Sequence, residues 1–181
     1  MNTTRRGVFL DRDGVLNASV VRDGRPFPPD GPEHALRLPR VEDACSRLAA
    51  AGLVLVIVTN QPDVARGTCT LADVEAINSA VTHGLPITDI LVCPHDDAED
   101  CRCRKPRPGM LLEAADRWHL DLKASVMVGD RWRDIEAGHR AGTRTIFVDQ
   151  GYAEEFPVAP DYVVSSLADA ADLILAAGPA S

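Results

Sequence analysis

The sequence predicts an α/β fold of three layers, a parallel sheet covered by helices on both faces. Three observations carry that expectation. Short apolar runs alternate with stretches of helical period along the chain. Those runs are continuous rather than alternately apolar and polar, as strands buried on both faces require. Hydrophobic residues make up 45% of the chain and aromatic residues only 4%, so Leu, Val, Ile and Ala must supply the core. At 181 residues there is chain enough for one substantial core but not for two, and a single domain spanning 1–181 is expected.

The elements follow in order. "GVFLD" (Gly7–Asp11) reads as the first strand, and the Pro/Gly-rich "RDGRPFPPDGPEH" (Arg22–His34) as an ordered flap or loop. A helix over Val41–Ala51 carries Cys45 on its apolar stripe, where a small buried hydrophobe is the simplest reading. "LVLVIVT" (Leu53–Thr59) is the second strand, Leu71–His83 a helix, "ITDILVC" (Ile87–Cys93) the third strand and Pro108–His119 a helix. "ASVMVGD" (Ala124–Asp130), a helix over Trp132–Ala141, "TRTIFVD" (Thr143–Asp149), "DYVVSS" (Asp161–Ser166) and a helix over Leu167–Ala177 complete the chain. Gly52, Gly84, Gly142 and Gly178 stand where a helix ends in the left-handed conformation that glycine adopts without strain. Strands joined through helices become parallel neighbours, which makes the sheet Rossmann-like.

Composition excludes several partners. A formal charge of -8 argues against nucleic acid or an anionic membrane, both of which need a broad basic surface. No apolar run approaches the roughly 18–20 residues of a membrane span, and "MNTTRRGVFLDRDG" contains no signal-like core, so a cytoplasmic protein is expected. Basic residues nevertheless recur at suspected loops, at Arg12, Arg22, Arg66, Arg104, Lys105, Arg107 and Arg131, which leaves room for a local anion pocket.

The chemistry lies where strands end. The first ends in Asp11-Arg12-Asp13-Gly14, the second in Thr59-Asn60-Gln61, the third leads to Lys105, and the fourth ends in Gly129-Asp130. In a parallel sheet these carboxyl ends share one edge, where such sheets bind ligands. Asp11, Asp13 and Asp130 would raise one another's pKa unless a cation neutralised them, and Mg²⁺, a hard ion with oxygen ligands, suits the set. Thr59 and Asn60 offer neutral donors, Lys105 a point charge, and the turn at Gly14 backbone N–H groups. Such a cleft suits a phosphoryl group: one carboxylate can attack phosphorus to give an aspartyl-phosphate, and its neighbour can protonate the leaving oxygen and then activate water.

"CPHDDAEDCRC" sets Cys93, His95, Cys101 and Cys103 within one short acidic loop, 93–103. Three thiolates and an imidazole make a closed tetrahedral zinc site with no position left for catalysis. A Cys101–Cys103 or Cys93–Cys101 disulfide competes, but a reducing compartment disfavours it. Free surface thiols also compete, and four ligands in so tight a loop disfavour them. Structural Zn²⁺ is therefore expected, with Arg104 and Lys105 as the residues it fixes. His34, His83, His119 and His139 show no ligand spacing, Trp118 and Trp132 read as packing, and Arg107 as a solvated charge or a substrate contact.

"FLDRDGVLN", "VIVTNQ", "RKPRPG" and "VGDRWRDIEAG", in that order and each after a strand, resemble the haloacid dehalogenase superfamily of phosphohydrolases across nearly the entire chain. The resemblance implies that Asp11 is the nucleophile, Asp13 the general acid/base, Thr59 a phosphoryl hydrogen-bonder and Lys105 the stabiliser of phosphoryl charge. It further implies that Asp130 binds Mg²⁺ with Asp11 and the carbonyl of Asp13, and that Asp134 orients Asp130 from behind. Leu16–Arg40 and Gly84–Arg104 are too short to hold the cap domain that other members insert, so the site should be capless and open. The Asp-Arg-Asp-Gly motif together with the Cys/His loop is similar to the heptose 1,7-bisphosphate phosphatases and the related histidinol-phosphate phosphatases, and "TNQPDVARG" and "CRCRKPRPGML" are closer to the former. By that likeness Asn60, Arg104, Arg131 and the Ser19–Arg22 segment meet the substrate. Pro62 departs from the pattern, replacing a serine and so removing a hydroxyl and a backbone donor.

The expected protein is thus an Mg²⁺-dependent, zinc-stapled monomeric phosphatase acting on a small phosphorylated sugar, first of all a heptose 1,7-bisphosphate at its 7-position. Histidinol phosphate is the second substrate to consider. A non-catalytic zinc-stabilised binding or scaffold protein is the reading from another class, and the complete catalytic set stands against it.

Overall fold

The structure, a computed structural model, describes residues 5–154 and 157–177; Gly178 lies outside them. Eight strands and five α-helices occur among the described residues: β1 (Gly7–Leu10), β2 (Val20–Arg22), β3 (Arg25–Phe27), α1 (Val41–Ala50), β4 (Val54–Asn60), α2 (Leu71–Thr82), β5 (Asp89–Cys93), α3 (Gly109–Trp118), β6 (Val126–Gly129), α4 (Trp132–Ala141), β7 (Arg144–Val148), β8 (Tyr162–Val164) and α5 (Leu167–Ala176). Six strands form one sheet in the order β5-β4-β1-β6-β7-β8, every pair parallel. The chain therefore winds outward from β1 first to one side and later to the other, the Rossmann-like arrangement the alternation implied.

Successive strand residues point to opposite faces, and the core divides accordingly. Val8, Leu10, Leu55, Ile57, Val126 and Val128 pack with α1, α2 and α5 residues such as Leu48, Ile77 and Ile174. Phe9, Val54, Val56, Val58 and Met127 turn the other way, onto Met110, Leu111 and Ala114 of α3 and Ala137 of α4. Both faces are dry, which is why these strands read as unbroken apolar runs. Truncating a residue such as the fully buried Ile57 to Ala would cost about 2–5 kcal/mol.

Most elements run one or two residues shorter than the sequence suggests, because terminal residues leave the ladder or the helix to cap it. Thr70 and Asp73 form a reciprocal capping box on α2, and Ser166 caps α5. Gly52, Gly84 and Gly142 adopt positive φ as expected, but α3 ends on His119 at φ 53 without a glycine. The flap is more regular than a loop. β2 and β3 pair antiparallel about Asp23 and Gly24, both at positive φ (51 and 72), the geometry of a two-residue hairpin turn. The hairpin occupies the interval where a cap would be inserted. Among the described residues no helix is long and apolar enough to cross a membrane.

Candidate active site

Because β4, β1 and β6 are neighbours, Thr59, Asp11 and Asp130 meet at one edge of the sheet, where the winding reverses. The N–H of Asp11 donates to Val128 O at 3.0 Å, which fixes the first carboxylate beside β6. Two glycines permit the close approach. Gly14 has φ 83, and a Cβ there would sit 1.8 Å from Asp130 Oδ2; a Cβ on Gly129 would sit 2.1 Å from Asp134 Cβ. Lys105 enters from the loop after β5, and Asp134 from the first turn of α4.

Asp11, Asp130 and Asp134 present carboxylate oxygens within 4.8 Å of one another. Lys105, only 1% exposed, places its ammonium 3.0 Å from Asp11 Oδ1, 2.6 Å from Asp134 Oδ1 and 2.7 Å from Val58 O, one acceptor for each of its protons. One cation cannot neutralise the trio. Burial, then Asp134, push the Asp11 carboxyl up to about 7 against the pull of Lys105. Burial and the charges of Asp11 and Asp134 also raise Asp130 well above the carboxylate range, while burial opposes and the two carboxylates hold Lys105 protonated. Asp130 Oδ1 is buried without a hydrogen-bond partner. An unpaired carboxylate oxygen inside an uncompensated acidic cluster is what a hard divalent cation would satisfy, so these residues fit Mg²⁺.

Asp13 accepts from Arg12 Nε at 3.2 Å, Arg12 Nη2 at 2.8 Å, Asn17 Nδ2 at 2.9 Å and Gln61 Nε2 at 3.0 Å. Gln61 Nε2 also donates to Thr59 Oγ1 at 2.9 Å, which leaves the threonine proton free to point elsewhere. The turn offers fewer backbone donors than expected: Arg12 N–H goes to Asp11 Oδ1 and Gly14 N–H to Asn17 O.

Lys105 is held at its backbone as well as its tip. Asn60, expected to bind substrate, lines the cavity and commits its amide to Lys105: Nδ2 donates to Lys105 O at 3.0 Å, and Oδ1 accepts from Lys105 N at 3.1 Å. On the other side of the lysine, Cys103 Sγ lies 3.2 Å from Cys93 Sγ, 3.5 Å from Cys101 Sγ and 3.3 Å from His95 Nδ1. Those separations are far beyond the roughly 2.05 Å of a disulfide. They approach the roughly 3.8 Å between sulfurs that zinc–sulfur bonds of about 2.3 Å set in a tetrahedron. Burial, then Cys103, raise the Cys93 thiol, and burial also raises Cys103, so a metal must displace those two protons to bind there. Arg107 is partly exposed and braces the loop, Nη1 donating to the carbonyls of Asp100 at 2.6 Å and Cys101 at 2.7 Å.

Known proteins resemble this chain. Residues 102–170 match a family model described as "HAD-hyrolase-like". The D-glycero-β-D-manno-heptose-1,7-bisphosphate 7-phosphatase of Escherichia coli K12 is 38% identical over 177 residues, covering 90% of each chain. The chain belongs to the heptose-1,7-bisphosphate 7-phosphatase family. The member from Mesorhizobium japonicum is 35% identical over 92% of this chain and 78% of its own. The crystal structure of the D,D-heptose 1,7-bisphosphate phosphatase of B. bronchiseptica, complexed with magnesium and phosphate, has a TM-score of 0.78 at 31% identity and covers 96% of this chain and 99% of its own. The chain is therefore a phosphatase, and magnesium is the ion its acidic cluster suits.

In this family member a cavity of about 630 Å³ opens above the carboxylates. Its rim differs from expectation at several residues. Arg22 does not line it and turns outward to Asp30 at 3.3 Å, whereas Arg25, across the hairpin turn, does line it. Arg131 lines the cavity but is paired with Glu154, and Arg104 donates to Asp97 Oδ1 at 2.7 Å. Arg133 shares Asp97 at 3.1 Å and lies over the Trp132 ring, 4.8 Å from its centroid. Ser19 lines the cavity with Oγ buried and unpartnered. Pro62 starts a turn in which its carbonyl accepts from Arg66 N at 3.1 Å, a position where a missing N–H is tolerated. Arg12 is the largest departure: it is fully buried and reaches no anion pocket. Gln61 stands at the strand end the sequence marks, although its role in holding Asp13 and Thr59 has no local signal; Glu154 has none either, and Arg25 has only the Asp-Gly turn that precedes it.

Proposed function

We propose that the protein removes the 7-phosphate of D-glycero-β-D-manno-heptose 1,7-bisphosphate, with Asp11 as the nucleophile. The observation that carries the substrate is the 38% identity, over 90% of both chains, to an enzyme of that name; the assembled Asp11, Asp13, Asp130 and Lys105 support the chemistry. Asp11, Asp130 and the carbonyl of Asp13 would hold Mg²⁺, which would supply neutralisation of charge on the phosphoryl oxygens. Asp134, whose oxygens already serve Lys105 and the Arg131 N–H at 3.0 Å, orients the site rather than joining the ligands.

The phosphoryl group sits between Asp11, the Lys105 ammonium and the Thr59 hydroxyl, whose proton Gln61 leaves free. Asp11 attacks phosphorus and the bond to the sugar oxygen breaks, while Asp13 gives that oxygen a proton. Asp13 then takes a proton from water as the water attacks the aspartyl-phosphate, and phosphate leaves. Cys93, His95, Cys101 and Cys103 would hold Zn²⁺, which would close the neighbouring loop and so help keep Lys105 in place. Ser19, Arg104 and Arg131 contact the sugar from the rim, and Arg25 offers its guanidinium to the second phosphate.

The test follows phosphorus by NMR during hydrolysis of the heptose bisphosphate, beside histidinol phosphate and hexose monophosphates. The 7-phosphate signal should disappear first, with the 1-phosphate retained and kcat/KM highest for the bisphosphate. A higher kcat/KM for histidinol phosphate, or loss of the 1-phosphate first, would overturn the assignment.

A further inference from the structure

Arg12 is 0% exposed and lies next in sequence to a residue of the site. A guanidinium is costly to bury, and an apolar side chain of similar size commonly serves stability as well or better. Its contacts indicate another use. Nε and Nη2 form a fork on the two oxygens of Asp13, at 3.2 and 2.8 Å, and Nη1 donates to Asn78 Oδ1 at 2.8 Å. Asn78 is 5% exposed and belongs to α2, which Ile77 and Val81 seat in the core. An unbroken chain of contacts thus runs from a packed helix to the carboxylate.

A fork fixes more than position. Two parallel N–H donors to two oxygens set the plane of the carboxylate, which a lysine's single point charge cannot do. Asn17 Nδ2 and Gln61 Nε2 bring the donors on Asp13 to four, about as many as a carboxylate has lone-pair sites. For Asp13 to hold a proton, one of the four must let go. Arg12 carries a full charge and is pinned from behind, so a neutral amide, Asn17 or Gln61, is the one that yields. The carboxyl then keeps its plane while one lone pair faces the leaving oxygen.

We infer that Arg12, pinned by Asn78, is a positioning residue that aims Asp13 at the leaving group. The inference rests on the phosphatase reading and deepens it. Its signature is dependence on the leaving group. The parameter kcat/KM reports steps up to formation of the aspartyl-phosphate, where only the departing oxygen needs the proton. A sugar alkoxide needs it; p-nitrophenolate leaves without it.

The experiment measures kcat/KM for the heptose bisphosphate and for p-nitrophenyl phosphate in the parent, Asn78→Ala, Asn78→Asp and Arg12→Lys. A misaimed group at about 1 Å can cost about 10²-fold, so Asn78→Ala and Arg12→Lys should lose on that order with the sugar phosphate and at least ten times less with the aryl phosphate. Asn78→Asp keeps an acceptor for Nη1 and should recover most of the loss. Equal losses on both substrates, or no loss in Asn78→Ala, would overturn the inference. If Arg12→Lys does not fold, the Asn78 pair decides alone. An inactive parent would refute the phosphatase reading instead, since the clamp is read only as a ratio to the parent.

Discussion

Among the described residues two clusters could hold a metal ion, and they are built in opposite ways. Cys93, His95, Cys101 and Cys103 are near neighbours in sequence, and their donor atoms close on one another on a single loop. Asp11 and Asp130, with Asp134 behind them, come from distant parts of the chain and meet because β1 pairs with β6. The first cluster is soft, local and closed, with four ligands and nothing left over. The second is hard, assembled by topology and open, since Asp130 Oδ1 still lacks a partner. A closed set restrains chain; an open set meets a ligand. Lys105 belongs to both, two residues past Cys103 and in contact with Asp11 and Asp134.

The contrast breaks most sharply at the open cluster. Asp11→Asn keeps the volume but removes the attacking charge and one metal ligand, so turnover should fall by roughly 10⁴-fold or more. The fold should survive, because the strand beneath is held by Phe9 and Leu10, both fully buried. Mg²⁺ should raise the parent's Tm by ligand linkage and raise the variant's much less. Phosphate release near the parent's rate, or an equal Mg²⁺ shift in Tm, would contradict the assignment of Asp11.

The closed cluster should respond in the other sense. The core clusters use α1 to α5 and the central sheet, with Cys101 and Cys103 only at their margin, so Cys101→Ser should lower Tm modestly. The loop loses its restraint, the Lys105 backbone is left to the bonds from Asn60 and Arg133, and displacement near 1 Å can cost about 10²-fold in kcat/KM. Because both changes act through one ammonium, Cys101→Ser should add little to Lys105→Ala. Metal analysis should find zinc in the parent and little in Cys101→Ser. Global unfolding of Cys101→Ser, or full activity with zinc lost, would show that the loop and the lysine are not coupled.

The same contrast decides what was legible in the sequence. Periodicity gave the strands and helices, because strands buried on both faces and helices buried on one leave different patterns. The Cys/His loop was readable because its ligands are local. The acidic floor was readable only through the rule that parallel strands end along one edge. What escaped was pairing at a distance. Nothing near Arg131 indicates Glu154, nothing near Asn60 indicates that Lys105 would claim its amide, and nothing at Arg12 announces a buried fork with Asn78 on another helix. The hairpin was missed for a different reason: the prolines of "RPFPPDGP" read as loop and outweighed the Asp23-Gly24 turn signal.

That hairpin gives the smallest effect and the finest test, since it forms part of the rim without a metal to hold it. Its restraint is the two-residue turn and the fixed φ of Pro26 and Pro28 on either side of Phe27. Arg25 lines the cavity and, among the described residues, has no carboxylate partner, whereas Arg66, Arg104, Arg131 and Arg133 each have one. A guanidinium held on a braced strand over a phosphoryl site is free to receive a second phosphate. A charge-assisted hydrogen bond contributes about 1.5–3 kcal/mol, and exposure places Arg25 at the low end, so Arg25→Ala should raise KM for the heptose bisphosphate roughly tenfold with little change in kcat. KM for the 7-monophosphate should move far less, because it lacks the group that Arg25 meets. Arg22→Ala, which removes an outward pair with Asp30 and a contact over the Phe27 ring but no charge in the cavity, should leave both constants near the parent's. Equal rises in KM for the two substrates, or an Arg22→Ala effect as large as that of Arg25→Ala, would mean that the hairpin acts by its fold rather than by this charge.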